Sequence, residues 1–230
     1  MIYDCVKKII KPTILAAKSY HIADASGFVK LDAMENPYVW PEKIKDEWSR
    51  CLLQADLNRY PDAKSYELRR ELTQAFNFSE NTSMILGNGS DELIQIILMA
   101  LNKNNNVVMV PEPSFVMYRL LSSMMELEFV GVPLNKDFSL DLSAMLESIE
   151  KKKPAVIFIA WPNKPPRNPF LEESFTEIIN ATPGLVVTDA AYHSFAQKSM
   201  MSYLHKYPNV LLMRTLSKLG LAGLRLGMLF

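Results

Sequence analysis

From Asn81 onward the chain alternates short apolar runs with helical patterns, and that rhythm limits its fold more than any other feature. The runs are Met84–Leu86, Asn106–Val110, Leu127–Val132, Ala155–Ala160, Leu185–Thr188, Val210–Met213 and Leu224–Phe230. Most lack polar alternation, which predicts strands buried on both faces. Between most of them apolar residues recur at helical spacing: Asp91–Asn102, Ser114–Met125, Asp141–Lys151, Glu172–Asn180 and Met200–Tyr207. Strands covered on both sides by intervening helices predict an α/β architecture, a doubly wound, mostly parallel seven-stranded sheet flanked by helices.

The first 44 residues read differently. Pro12, Gly27, Pro37 and Pro41 interrupt any period, so this part is expected to be an arm with a short helix. Helical patterns follow at Pro41–Gln54 and Lys64–Phe76. At 230 residues with 49% apolar side chains the chain can fill a substantial core. Lys+Arg and Asp+Glu balance at 25 each, so no overall field favours nucleic acid or an anionic membrane. Cys5 and Cys51 stand far apart without metal-type spacing, and the apolar patch around Ile14 is too short to span a bilayer. The expectation is a cytoplasmic protein with no metal, no nucleic-acid partner and no membrane contact.

In an open parallel sheet the ligand sits beyond the carboxyl ends of the strands. The residues that follow each run are therefore the candidates. After Leu86 comes Gly87-Asn-Gly-Ser-Asp-Glu92, where Gly89 permits close backbone approach, Ser90 or Asp91 would cap the helix, and the helix start offers an anion site; a plain tight turn is the alternative. After Val110, Phe115 and Tyr118 fall near the same rim, to stack on a flat ligand or to fill the core. After Ala160, three prolines between Pro162 and Pro166 stiffen a loop that presents Asn163 or Lys164. Asp189 closes the next run, and a carboxylate there needs a partner or a capping role. The last polar turn, Arg214–Lys218, sets Lys218 beside Thr215 and Ser217, with Arg225 following; a lysine in such a turn is otherwise solvated. Together these groups supply what pyridoxal 5'-phosphate needs: an amine, an acid for the pyridine nitrogen, donors to the ring oxygen, a stacking face and a phosphate cup.

The segments Leu31-Asp-Ala-Met-Glu-Asn-Pro-Tyr38, Arg59-Tyr-Pro-Asp62, Gly87–Glu92, Asp189-x-Ala-Tyr192 and Arg214-Thr-Leu-Ser-Lys-Leu-Gly-Leu-Ala-Gly-Leu-Arg-Leu-Gly227 resemble histidinol-phosphate aminotransferases, which are class II, fold type I pyridoxal-phosphate enzymes. The resemblance runs from about Ile22 to Phe230. It implies an N-terminal arm with part of the small domain over residues 1–55, and the cofactor-binding large domain over residues 56–230. It also implies that Lys218 bears the cofactor and shuttles the proton, Asp189 partners the pyridine nitrogen and Tyr192 bonds the ring oxygen. Gly89, Ser90, Asp91, Ser217 and Arg225 would hold the phosphate, and Tyr60 would reach the phosphate of the other subunit of a homodimer. Phe115 would stack on the ring, Asn163 and Lys164 would lie by the ring oxygen, and Asn36 would face the substrate. The implied reaction exchanges an amino group between L-histidinol phosphate and 2-oxoglutarate in histidine biosynthesis.

Three departures qualify the match. Lys164 stands where the family has a second asparagine, and Ala190 stands where it has an acid. The chain ends at Phe230, where the family continues into a C-terminal small domain, so that cover is expected to be missing and apolar surface to be exposed. A catalytically impaired cofactor-binding or dimerisation remnant is the alternative reading.

Overall fold

The structure, a computed structural model, describes residues 4–17, 24, 26–31, 33–79, 82–102, 106–163, 172–195 and 200–230. Seven strands form one sheet: β1 (Ile85–Asn88), β2 (Val107–Glu112), β3 (Glu128–Pro133), β4 (Val156–Ala160), β5 (Leu185–Asp189), β6 (Val210–Thr215) and β7 (Leu226–Leu229). Their spatial order is β1-β7-β6-β5-β4-β2-β3. Among the described strands β7 alone is reversed: it pairs antiparallel with both β1 and β6, while the other pairings are parallel.

Among the described residues the helices are α1 (Asp4–Lys7), α2 (Pro12–Ala16), α3 (Glu42–Leu53), α4 (Tyr66–Ala75), α5 (Ser90–Met99), α6 (Val116–Met124), α7 (Leu142–Lys152), α8 (Glu172–Ala181) and α9 (Met201–Lys206). In α5, Leu93, Ile94, Ile97 and Leu98 recur on one stripe and are all buried. At the start of α7, Asp141 accepts a hydrogen bond from the Ala144 N–H at 2.9 Å, and Lys151 and Lys152 meet the negative end of its dipole.

The absence of polar alternation is explained by burial on both faces. One face carries Met109, Ile157, Ile159, Val186 and Leu212 against Met145, Ile149, Phe175 and Ile178 of α7 and α8. The other carries Val108, Phe158, Val187 and Met213 against α5 and α6. Each such side chain stabilises the fold by roughly 1.5–3 kcal/mol through removal from water. By contrast α3 has no buried residue, and Ile44, Trp48 and Leu52 are all about half exposed.

One local expectation is corrected. The segment Arg214–Lys218 is not a turn throughout, because β6 continues through Thr215. Strand alternation then sends Arg214 to the opposite face from Thr215, where its guanidinium lies 5.1 Å from the centre of the Phe78 ring. Arg214 is therefore part of the core wall near Phe78.

Candidate active site

Because β7 runs backwards, its first residues join the carboxyl ends of the other strands. Asn88 is in register with Leu226, and Thr215 with Gly227. This brings Gly89 at the end of β1, Asp189 at the end of β5, the Ser217–Leu219 turn after β6 and Arg225 before β7 to one edge of the sheet.

The start of α5 forms a cup. Gly89 is its N-cap, with φ 82° and no side-chain cap, so neither Ser90 nor Asp91 plays the expected capping role. Glu92 instead turns back to accept from the Asn88 N–H. The Arg225 guanidinium occupies the space over Gly89: a Cβ there would lie 2.6 Å from Arg225 Nη2. Arg225 also stands 3.8 Å from the Asp91 carboxylate, across an exposed gap. Ser217 closes the cup from the other side, its hydroxyl 2.9 Å from Thr215 Oγ1, which in turn donates to the Leu226 carbonyl at 3.2 Å. Free N–H groups at a helix start, a guanidinium and a hydroxyl make an anion site suited to phosphate.

Asp189 is 5% exposed, on the same face of the sheet as Phe158 and Met213. Its Oδ1 accepts from the Ala191 N–H at 3.0 Å and its Oδ2 from the Tyr118 hydroxyl at 2.6 Å. Burial raises its carboxyl above the ordinary carboxylate value, opposed by the Tyr118 hydroxyl, the Ala191 N–H and the Lys218 ammonium. The fully buried Tyr118 phenol is pushed well above its ordinary value, by burial first and then by the Asp189 carboxylate.

Lys218 lies in the turn after β6 and is half-buried. Its Nζ donates to the Ala33 carbonyl at 2.7 Å and sits 5.5 Å from the centre of the Tyr192 ring. The arm reaches the same place through Asn36, whose Nδ2 fills the space that a Cβ on Gly220 would take, 2.9 Å away. Phe115 stands on the rim, 41% exposed, with its ring edge-on to Tyr118 at 5.7 Å. Asn163 is buried beside that rim, accepting from Ser114 Oγ and donating to the Pro113 carbonyl, each at 3.4 Å. Lys164 lies outside the described residues. Tyr60 is fully exposed. Ala190 is buried, 3% exposed.

The structure thus brings together Gly89, Ser90, Asp91, Ser217 and Arg225 as one group, and Asp189, Lys218, Tyr192 and Asn36 as another. Two partners were not legible as such. The Tyr118–Asp189 bond links residues 71 positions apart, and its only sequence signal was that Tyr118 lies one helical turn beyond Phe115. His193, packed edge-on to Phe76 at 6.0 Å, had no signal at all.

The sheet and its helices are shared with solved structures. Histidinol-phosphate aminotransferase from Sinorhizobium meliloti, solved in complex with pyridoxal-5'-phosphate, superposes with a TM-score of 0.78 at 21% identity, over 96% of this chain and 62% of that one. Aromatic aminotransferase from Pyrococcus horikoshii gives 0.73 at 20% identity, over 85% and 57%. At those identities the likeness is one of fold. Sequence relatives are nearer. Histidinol-phosphate aminotransferase 2 of Nitrosococcus oceani is 49% identical over all of this chain and 64% of its own length. The Chromobacterium violaceum histidinol-phosphate aminotransferase is 47% identical over 96% of this chain and 62% of its own. The chain therefore spans a little under two thirds of the length of these relatives. Residues 26–230 match the model of the class I and II aminotransferases, and with the strand order and the groups gathered at one sheet edge, this places the chain in that family.

Proposed function

We propose that the chain binds pyridoxal 5'-phosphate at this edge and, as part of a homodimer in the cytoplasm, moves an amino group between L-histidinol phosphate and 2-oxoglutarate. The single observation that carries the reading is the buried Asp189 carboxylate, held by two donors at the same sheet edge as Lys218 and the Arg225 cup. Sequence support comes from the name borne by relatives at 49% and 47% identity.

The donor set fits the cofactor. A carboxylate is stable in this apolar setting when it faces a protonated ring nitrogen, and each Asp189 oxygen, having accepted one hydrogen bond, retains capacity for another. The space over Gly89 is kept by the absence of a Cβ, which lets Arg225 close on a phosphate. Phe115 offers a ring face beside Asn163.

When bound, the cofactor supplies a conjugated ring that takes up the electron pair left on the substrate carbon as its proton departs. The protein's part is binding and proton handling. Lys218 Nζ would hold the cofactor and would carry the proton to and from the substrate carbon. Asp189 would supply the negative charge for a protonated ring nitrogen. Tyr192 and Asn163 would orient the ring oxygen, Ser90, Asp91, Ser217 and Arg225 would hold the phosphate, and Asn36 would face the substrate. Tyr60, fully exposed here, would serve the neighbouring subunit's phosphate. Residues 1–55 would act as the arm and part of a small domain, and residues 56–230 as the cofactor-binding domain. Among the described residues no helix is long and apolar enough to cross a membrane.

The test is an absorption spectrum of the purified chain with added pyridoxal phosphate, beside Lys218→Ala. A visible band that needs Lys218 is expected, followed by loss of that band on adding histidinol phosphate and its return with 2-oxoglutarate. A spectrum unchanged by the substitution overturns the proposal.

A further inference from the structure

We propose that Tyr118 is the positioning residue for Asp189, its hydroxyl fixing both the direction and the charge of that carboxylate. The inference rests on the cofactor reading above, since its purpose is to keep Asp189 ionised opposite a ring nitrogen.

The geometry makes Tyr118 a donor that cannot turn away. Its ring is fully buried and stacked on Phe158, with centroids 4.9 Å apart and planes 16° from parallel. Phe115 packs edge-on against it, and the Ser122 hydroxyl donates to its backbone carbonyl at 2.7 Å, tying that turn of α6. From there the hydroxyl meets Oδ2 of Asp189 at 2.6 Å, the short distance of a charge-assisted bond. With the Ala191 N–H on Oδ1, both oxygens are pinned and the carboxylate cannot rotate without losing a bond.

The charged and titratable groups around Asp189 come from three elements. Tyr118 on α6 and Lys218 in the turn after β6 favour the ionised form, and Asp91 at the start of α5 opposes it. Burial opposes it most. Because the Tyr118 phenol keeps its proton at all ordinary pH, it remains a donor throughout the working range. Without it, the Ala191 N–H and Lys218 alone face the desolvation, and Asp189 takes up a proton more readily. A protonated Asp189 no longer stabilises a positive ring nitrogen.

Two readouts test this. In the cofactor-free chain, unfolding by urea is followed at pH 5 and pH 8 for Tyr118→Phe, Asp189→Asn and the double variant. A carboxyl whose folded value is raised loses stability as pH climbs from the ordinary carboxylate range toward the raised value, and removing the hydroxyl extends that loss upward. Tyr118→Phe is therefore expected to lose more stability at pH 8 than at pH 5, with the difference abolished in the Asp189→Asn background. With pyridoxal phosphate, Tyr118→Phe is expected to weaken binding by about tenfold, the value of a hydrogen bond to a charged group. If Tyr118→Phe does not fold, a fluorotyrosine at position 118 keeps the shape and strengthens the donor, and shifts the Asp189 ionisation to lower pH. A loss that is equal at both pH values and persists with Asp189→Asn means packing alone and overturns the proposal. The urea cycle reads Tyr118 and Asp189 directly, so it is distinct from a missing Lys218-dependent band, which overturns the cofactor reading instead.

Discussion

Lys218 and Ala33 are 185 positions apart in the chain, yet the lysine Nζ donates to the alanine carbonyl at 2.7 Å. The arm is thus docked onto the turn that carries the candidate nucleophile. Asn36 rests on Gly220 at the same place, so the arm and the turn form a single wall of the site.

That wall depends on Gly220. Its φ of 100° is one that side chains rarely adopt, and a Cβ would lie 2.9 Å from Asn36 Nδ2. Gly220→Ala is expected to cost about 1–3 kcal/mol through backbone strain. It should also lift residues 33–36 from the turn, seen as faster proteolytic cleavage within the arm. An arm cleaved at an unchanged rate would show that its docking does not depend on Gly220.

The cup over Gly89 makes a prediction about phosphate specifically. Gly89→Ala puts a methyl group 2.6 Å from Arg225 Nη2 and forces the guanidinium aside. Titrations with pyridoxal phosphate and with pyridoxal should separate: the phosphorylated compound is expected to bind at least tenfold more weakly, as expected for loss of a charge-assisted bond, and pyridoxal should change little.

Phe175 tests the core on the side of α7 and α8. It is fully buried between Trp161, at 5.8 Å, and Tyr203, at 5.1 Å. Phe175→Ala leaves a cavity there and is expected to cost about 3–5 kcal/mol in a urea titration. A cost under about 1 kcal/mol would mean that the site collapses freely, against close packing.

His193 gives the fold an acid-sensitive point. Burial, then the nearby Arg214 charge, hold its imidazole below the ordinary value of 6.5. The folded chain therefore resists protonation that the unfolded chain accepts, and stability from the neutral ring is lost as pH falls below about 6.5. His193→Gln should flatten the stability-versus-pH curve between about pH 6.5 and 5 relative to the parent. Two parallel curves in this range would contradict the assignment.

Much of the architecture was determined by the sequence alone. Runs such as Ala155–Ala160, apolar at every position, suit only strands buried on both faces, and the helices between them leave a mostly parallel sheet as the compact solution. The candidate positions Asp189, Lys218 and Arg225 were legible too, because polar residues at or beside the ends of apolar strands need a reason to be there. What the tertiary structure decided is how those residues meet. The reversal of β7 brings Arg225 over Gly89, since strand direction is set by pairing and not by composition. Strand alternation past the predicted end of β6 turned Arg214 toward Phe78 and left Thr215 with the site. The Tyr118 hydroxyl found Asp189, and the Ala33 carbonyl found Lys218, across separations that no local period encodes. Those contacts exist only once burial makes an unpaired polar group costly and packing supplies a partner from elsewhere in the chain.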